Sequence, residues 1–345
     1  MNDALPAIIP AHEEVALPAH ISESAREYIK ESRAERTRKA YSVAWRQFST
    51  WCTINGRCPL PATPETLAGW ITALADGTDG GEPRARATIS LYLSAVVTAQ
   101  RTAGHAFDRS NAFLVETWRG ISRVKARTDI QRQAAPLLGK DLQSLLEGLG
   151  GRAIDVRDGA LLSLCWAAAL RRSELVGLDW MEKEEGVGFL RIDERGAMVT
   201  LATSKGSQDA AASVIIPAAD APTTIARIAA WATLAQLQPG QPVFRSIDKG
   251  GWVSPERLGD GSVAAIVKRR VRAFAIERGK SKAEADQLAT MFSGHSMRSG
   301  FATTAADLPL AQLALHTRHK SLEVLMGYIR EREGWTKSAL KSVGF

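Results

Sequence analysis

At 345 residues the chain exceeds the roughly 250–300 residues at which a single hydrophobic core stops growing, so two domains are expected. Its 45% hydrophobic and 23% charged residues exclude wholesale disorder, and three cysteines (Cys52, Cys58 and Cys165) with no CxxC pair exclude a disulfide framework or a zinc ribbon. The 44 Lys and Arg against 37 Asp and Glu leave a formal charge of +7, which suits an anionic partner without naming it.

Residues 1–24 hold Asp3, Glu13, Glu14 and Glu23 and no Lys or Arg, and residues 1–21 read as a flexible acidic tail. The opening MNDALPAIIPAHEE lacks the basic and long apolar regions of a secretory signal. No apolar run reaches the roughly 18–20 residues that span a bilayer, so cytoplasmic residence without a membrane partner is the expectation. From Ser22 the pattern turns helical: Tyr41, Ala44, Trp45, Phe48, Trp51 and Cys52 recur every three or four positions. Thr63 before Pro64 predicts a capped helix over Pro64–Ala75, and further helices are predicted over Arg86–Ala103 and Ser110–Val124. These make 22–124 an all-α domain, and it is basic: residues 25–136 carry 17 Lys and Arg against 10 Asp and Glu. Such a surface draws polyanions through counterion release, although a solvated helix face would carry the same charge.

The stretch KARTDIQRQAAP, residues 125–136, has no apolar face and is predicted to be a linker. In the second domain, 137–345, helices are predicted over Gly139–Leu149 and Ile154–Ala169. Strands follow over Gly188–Asp193, Ala197–Ser204 and Ala212–Pro217, then helices over Thr223–Leu237, Ser262–Arg278 and Lys282–Met291. The predicted fold class is therefore mainly α, with a C-terminal mixed α/β domain holding a small antiparallel sheet.

Four strings can carry chemistry: AALRRSELVGLDW with Arg171 and Glu174, TSKGSQD with Lys205, SGHSMRSG with His295 and Arg298, and HTRHKSLEVLMGYI with His319 and Tyr328. Singly, each has a plain structural reading: a surface ion pair, an exposed turn lysine, a helix-capping histidine, a core tyrosine. Their order, Arg…Lys…His-x-x-Arg…His…Tyr, resembles the tyrosine recombinase (phage integrase) family. LRRSEL resembles its first arginine box and GHSMR its His-x-x-Arg box, with His319 nine residues before Tyr328. The helix TRKAYSVAWRQFSTWC looks like the family's core-binding domain, which implies a SAM-like N-terminal fold. The chain departs from the family at Ala169 and Arg318, where glycine is usual, at Thr317 in place of leucine, and at Arg330, where many members have histidine.

The resemblance implies a chemistry that suits these residue types. Tyrosine, with an ordinary pKa of about 10, must be activated to attack a phosphodiester, and guanidinium forks match the phosphate oxygens on which charge builds. Tyr328 is then the nucleophile, Arg171 and Arg298 the clamp, and His319 a third donor. Lys205 protonates the leaving 5′-oxygen, His295 handles the tyrosine proton, and Glu174 orients its neighbours. No cofactor or metal is implied, and there is no GxxxxGK[ST] string for ATP. The implied partners are double-stranded DNA with inverted repeats and further copies of the chain, forming a DNA-bound tetramer. Trp335, Leu340 and Val343 near the C-terminus read either as packing on their own domain or, as the resemblance implies, as a tail exchanged between protomers of that tetramer. Candidate DNA contacts are Arg33, Arg36, Arg38, Lys39, Arg84 and Arg86, with a second set at Lys268, Arg269, Arg270 and Arg272. A type IB topoisomerase or telomere resolvase, which share the chemistry, and a non-catalytic DNA-binding accessory protein are the rival functions.

Overall fold

Apolar residues recurring every three or four positions form helices in the computed structural model, which describes residues 22–31, 35–128, 134–201, 212–319, 321–323 and 325–328. By internal contacts the chain divides into two units, Met1–Arg132 and Gln133–Phe345. Among the described residues no helix is long and apolar enough to cross a membrane.

The first unit has five helices among its described residues: α1 (Glu23–Glu31), α2 (Glu35–Ile54), α3 (Pro64–Asp76), α4 (Arg86–Thr102) and α5 (Ala112–Thr128). On α2, the Ala44, Phe48 and Cys52 side chains are fully buried, as their spacing predicts. They join Leu67, Trp70, Ile71, Ile89, Val96 and Leu114 in the core, where the Phe48 and Trp70 rings lie 4.8 Å apart. Thr63 caps α3 by accepting from the Thr66 N–H, and Gly77 ends it at φ 77°, a left-handed backbone that glycine adopts without steric cost. Buried Gln100 donates to Pro59 O and accepts from Ala62 N–H, tying the loop before α3 to α4. Helix α5 runs on to Thr128, into the stretch expected to be linker.

The second unit is built on α7 (Ala153–Ala167), whose residues Asp155 and Arg157–Cys165 are all buried. Around it lie α6 (Gly139–Glu147), α8 (Arg172–Val176), α9 (Pro222–Leu234), α10 (Asp260–Glu277), α11 (Lys282–Thr290), α12 (Ser296–Thr304) and α13 (Leu310–Thr317). Strands β1 (Leu178–Trp180), β2 (Gly188–Asp193), β3 (Gly196–Leu201) and β4 (Ala212–Pro217) form one sheet in that order. The sheet is mixed rather than antiparallel, because β1 pairs parallel with β2. Buried Asp179 is the physical reason for that return. Its Oδ2 accepts from the N–H groups of Glu184, Glu185 and Gly186, folding the loop after β1 back alongside it, while Arg257 pairs with Oδ1 at 2.5 Å. A second sheet, β5 (Arg245–Ile247) with β6 (Val253–Arg257), is absent from the sequence expectation because polar Arg245, Ser246, Glu256 and Arg257 hide its alternation.

Two features of α12 bear on the site. Gly300 lies so close to Leu137 that a Cβ would sit 1.9 Å from its carbonyl oxygen, so only glycine lets α12 pack there. At its far end Ala302, with Ala306 just beyond the helix, joins Leu313 of α13 and Leu325 in a small core against which Met326 and Tyr328 pack.

Candidate active site

Helix α7 ends in a turn at Ala169, whose φ of 45° is left-handed, and Leu170 N–H bonds back to Cys165 O at 3.0 Å. The chain then extends at Arg171, the N-cap of α8. Glu174, three residues on, reaches back: Oε2 accepts from the Arg171 backbone N–H at 2.8 Å and Oε1 pairs with the Arg171 Nη1 at 2.5 Å. Only the glutamate half of a capping box is present, because a guanidinium cannot accept from the Glu174 N–H, and half of the Arg171 side chain stays exposed. Burial works against the Glu174 carboxylate, but the Arg171 N–H and the Arg318 and Arg171 guanidinia outweigh it and hold its pKa below the usual range.

Arg298 enters from the first turn of α12 and is 1% exposed. Its Nη1 donates to Ala169 O at 2.7 Å, while its buried Nη2 has no hydrogen-bond partner among the described residues. Burial, with Arg171 and Arg318 close by, pushes the Arg298 guanidinium down to about 10, so it remains charged at neutral pH. A buried cation with an unmet N–H is costly unless an anion arrives.

His295 stands at the N-terminal edge of α12, and its Nε2 lies 2.8 Å from the Tyr328 hydroxyl. Partial desolvation, then Arg298 and Arg171, lower the His295 pKa, so its ring is neutral near pH 7. Burial raises the Tyr328 pKa, opposed by the charge of Arg298, and the phenol is protonated at rest. A neutral imidazole against a protonated phenol is an acceptor placed for that proton.

His319 follows α13, with its ring centroid 6.1 Å from that of Tyr328. Its Nδ1 lies 2.7 Å from Thr317 Oγ1, and the Thr317 hydroxyl donates to Leu313 O. The hydroxyl proton being committed, Thr317 accepts from Nδ1–H, which fixes the neutral ring with its lone pair on Nε2. Burial, reinforced by Arg298 and Arg171, pushes His319 down to about 4. An incoming phosphate opposes that shift and favours the doubly protonated ring, which donates from Nε2.

The structure thus brings Arg171, Glu174, His295, Arg298, His319 and Tyr328 to one place. Lys205, Arg33 and the tail residues Trp335, Leu340 and Val343 lie outside the described residues. Arg36 lies on α2; Lys39 and Arg86 are exposed, and Arg38 and Arg84 half-buried. Of the second basic set, Arg270 is a correction: it is buried, with its Nη1 on Asp155 at 2.8 Å and its Nε on Asp158 at 2.6 Å, so it cannot meet DNA. Arg269 also pairs with Asp158 and Arg272 with Asp286, while Lys268 is exposed. Two residues belong with the site although sequence reasoning gave them no role there. Thr317 orients His319, and Arg318, noted only as a departure from glycine, contacts Glu174 at 3.1 Å.

No protein-family model matches the chain. It is 31% identical over 327 residues to an integrase/recombinase XerD homolog of Selenomonas ruminantium, covering 93% of this chain and 89% of the relative. It is 27% identical over 323 residues to a tyrosine recombinase of Synechococcus elongatus, covering 88% of each. Among solved structures it resembles the XerH site-specific recombinase in a post-cleavage complex with palindromic difH substrate (TM-score 0.56, 14% identity, 93% of this chain and 85% of that one). It also resembles the Tn1549 transposon integrase in complex with transposon right end DNA (TM-score 0.54, 14% identity, 93% and 96%). These two share the fold, whereas the Selenomonas relative carries the assignment along nearly the whole sequence: the chain belongs to the tyrosine recombinase family.

Proposed function

We propose that the protein is a site-specific DNA recombinase that cleaves and rejoins strands through a 3′-phosphotyrosyl intermediate. The observation that carries this reading is the 2.8 Å contact of His295 Nε2 with the Tyr328 hydroxyl beside the buried, partly unmet guanidinium of Arg298. Tyr328 Oη attacks the scissile phosphorus as His295 takes its proton, and the bond from phosphorus to the 5′-oxygen breaks. The 5′-oxygen leaves as a hydroxyl with a proton from Lys205. Arg298, Arg171 and protonated His319 meet the charge on the non-bridging oxygens, where preorganised donors are worth most. Because the phosphotyrosine bond keeps the energy of the broken phosphodiester, the reverse attack by a 5′-hydroxyl reseals DNA without ATP.

On this reading the substrate is double-stranded DNA with inverted repeats, held in the cytoplasm by a tetramer that exchanges C-terminal tails. Strands exchange pairwise through a Holliday junction. Two domains, 22–124 and 137–345, flank a linker, with Arg38, Lys39, Arg84 and Arg86 on the first and Lys268, Arg269 and Arg272 on the second toward phosphate.

The test begins with a randomised duplex pool enriched by binding to the protein and then nicked within the bound stretch, so that a cleaved 5′-hydroxyl strand diffuses away. Wild type is expected to give a denaturant-resistant protein–DNA adduct and Tyr328→Phe none. Binding without adduct leaves the accessory-protein reading, and an adduct from Tyr328→Phe moves the nucleophile elsewhere. Recombination between two recovered sites, against relaxation of supercoils alone, separates a recombinase from a topoisomerase.

A further inference from the structure

Arg318 occupies a left-handed backbone, φ 55° and ψ 43°, at the C-terminal end of α13. That conformation crowds the Cβ of every L-residue and is ordinarily left to glycine or asparagine. A long cationic side chain is a poor choice there unless the side chain itself is needed, and this one is well buried, with 12% of its surface exposed.

Its guanidinium makes four contacts, all with the protein. Nη1 donates to Ala168 O and His316 O, each at 3.1 Å, and Nη2 donates to Ala169 O and Glu174 Oε2, each at 3.1 Å. All four Nη hydrogens are therefore used, and the remaining Nε–H is buried without a partner among the described residues. Two of those acceptors are shared with the proposed phosphate clamp. Ala169 O also seats Arg298 Nη1, and Glu174 also holds the Arg171 backbone and side chain. Ala169 is itself left-handed, so the turn that presents its carbonyl is one the chain must be held in. Arg318 thus ties the end of α13, from which His319 projects, to the end of α7, from which both arginines take their bearings.

We propose that Arg318 is a positioning residue, one that aligns Arg171 and Arg298 through Glu174 and the Ala169 carbonyl while fixing the segment that carries His319. The role rests on the recombinase reading above. It acts through other residues and gives no Nη–H to the phosphate, so its removal slows chemistry and leaves DNA affinity in place.

The test measures single-turnover adduct formation, DNA affinity and thermal unfolding of the full chain on the enriched, nicked duplex pool. Arg318→Gly relaxes the backbone while deleting the fork, and Arg318→Lys keeps the charge without the two-pronged geometry, which covers the case in which the glycine variant does not fold. Each is expected to cleave about ten- to a hundredfold more slowly, the size of effect that sub-ångström to ångström misplacement produces, with DNA affinity unchanged. Because Arg318 works in part through Glu174, the double variant Arg318→Gly/Glu174→Gln is expected to lose less than the product of the two single losses, as for residues that share a contact. Wild-type cleavage rates in the folded variants, weakened DNA binding, or additive losses in the double variant overturn the positioning role. A wild type that forms no adduct overturns the recombinase reading and this role together, whereas a wild-type adduct with an undiminished Arg318→Gly overturns this role alone.

Discussion

Two arginine clusters in the C-terminal unit differ in how their charge is met. Around α7, the buried guanidinia of Arg157 and Arg270 face two buried carboxylates, Asp155 and Asp158, with the more exposed Arg152 and Arg269 pairing from the outside. In the candidate site, Arg298 and Arg318 are as deeply placed, yet only Glu174 answers them, and it also serves Arg171. The first cluster is a closed account in which the buried charges cancel. The second holds more buried positive charge than carboxylate, with Arg298 Nη2 and Arg318 Nε both unmet among the described residues, an excess that suits the anionic substrate of the proposed function. Burial of arginine is common to both, and the supply of carboxylate separates them.

The comparison breaks if the two clusters respond alike to loss of a charge. Asp158→Ala strands Arg157 and Arg270 in the interior and is expected to cost about 3–5 kcal/mol of folding stability, read as a lowered urea midpoint, with cleavage spared below the unfolding temperature. An unchanged midpoint means the α7 cluster is not a brace. Arg298→Met removes an uncompensated buried charge, so the same urea titration is expected to show no loss of stability, or a gain. Its adduct formation should fall by roughly a hundred- to a thousandfold, the loss of about 3–4 kcal/mol that one preorganised donor supplies. A destabilised but active Arg298→Met reverses the assignment of the two clusters.

The smallest effect sharpens the site's electrostatics. His319 sits near 4 in the fold against an ordinary 6.5, held there by burial and by Arg298 and Arg171. As pH falls through that interval, the unfolded chain binds a proton that the folded chain refuses, so stability drops toward pH 4 and is regained above about 6.5. His295 and His316 are lowered as well and act in the same direction. His319→Asn is expected to flatten part of this slope between pH 7 and pH 5 in urea unfolding. A slope equal to that of the wild type places the titration on other groups.

Local pattern was legible where one physical cause dominated. Alternation in GFLRID and ASVIIP gives strands β2 and β4 with the same bounds in sequence and structure, and the Thr63–Pro64 cap gives the start of α3. The return of β1 alongside β2 was hidden, since it depends on a single carboxylate, Asp179, gathering three backbone N–H groups in the loop that follows it. Arg270 was misleading for a related reason. The four cations of the run KRRVR spread round a helix and cannot all reach DNA, but only the opposing face of α7, with Asp155 and Asp158, decides that Arg270 is the buried one.

By itself the sequence determined the helix and strand periods, the basic excess of residues 25–136, and the ordered arginine, histidine and tyrosine boxes by which the family is recognised. Those properties are written in neighbouring residues or in their order. The tertiary structure alone decided which guanidinia are cancelled and which are left over, that Tyr328 meets His295, and that Arg318 joins the ends of α7 and α13. The contacts of Tyr328 with His295 and of Arg318 with the end of α7 join partners 33 to 150 residues apart in the chain, and charge compensation depends on distance in space, which no local pattern records.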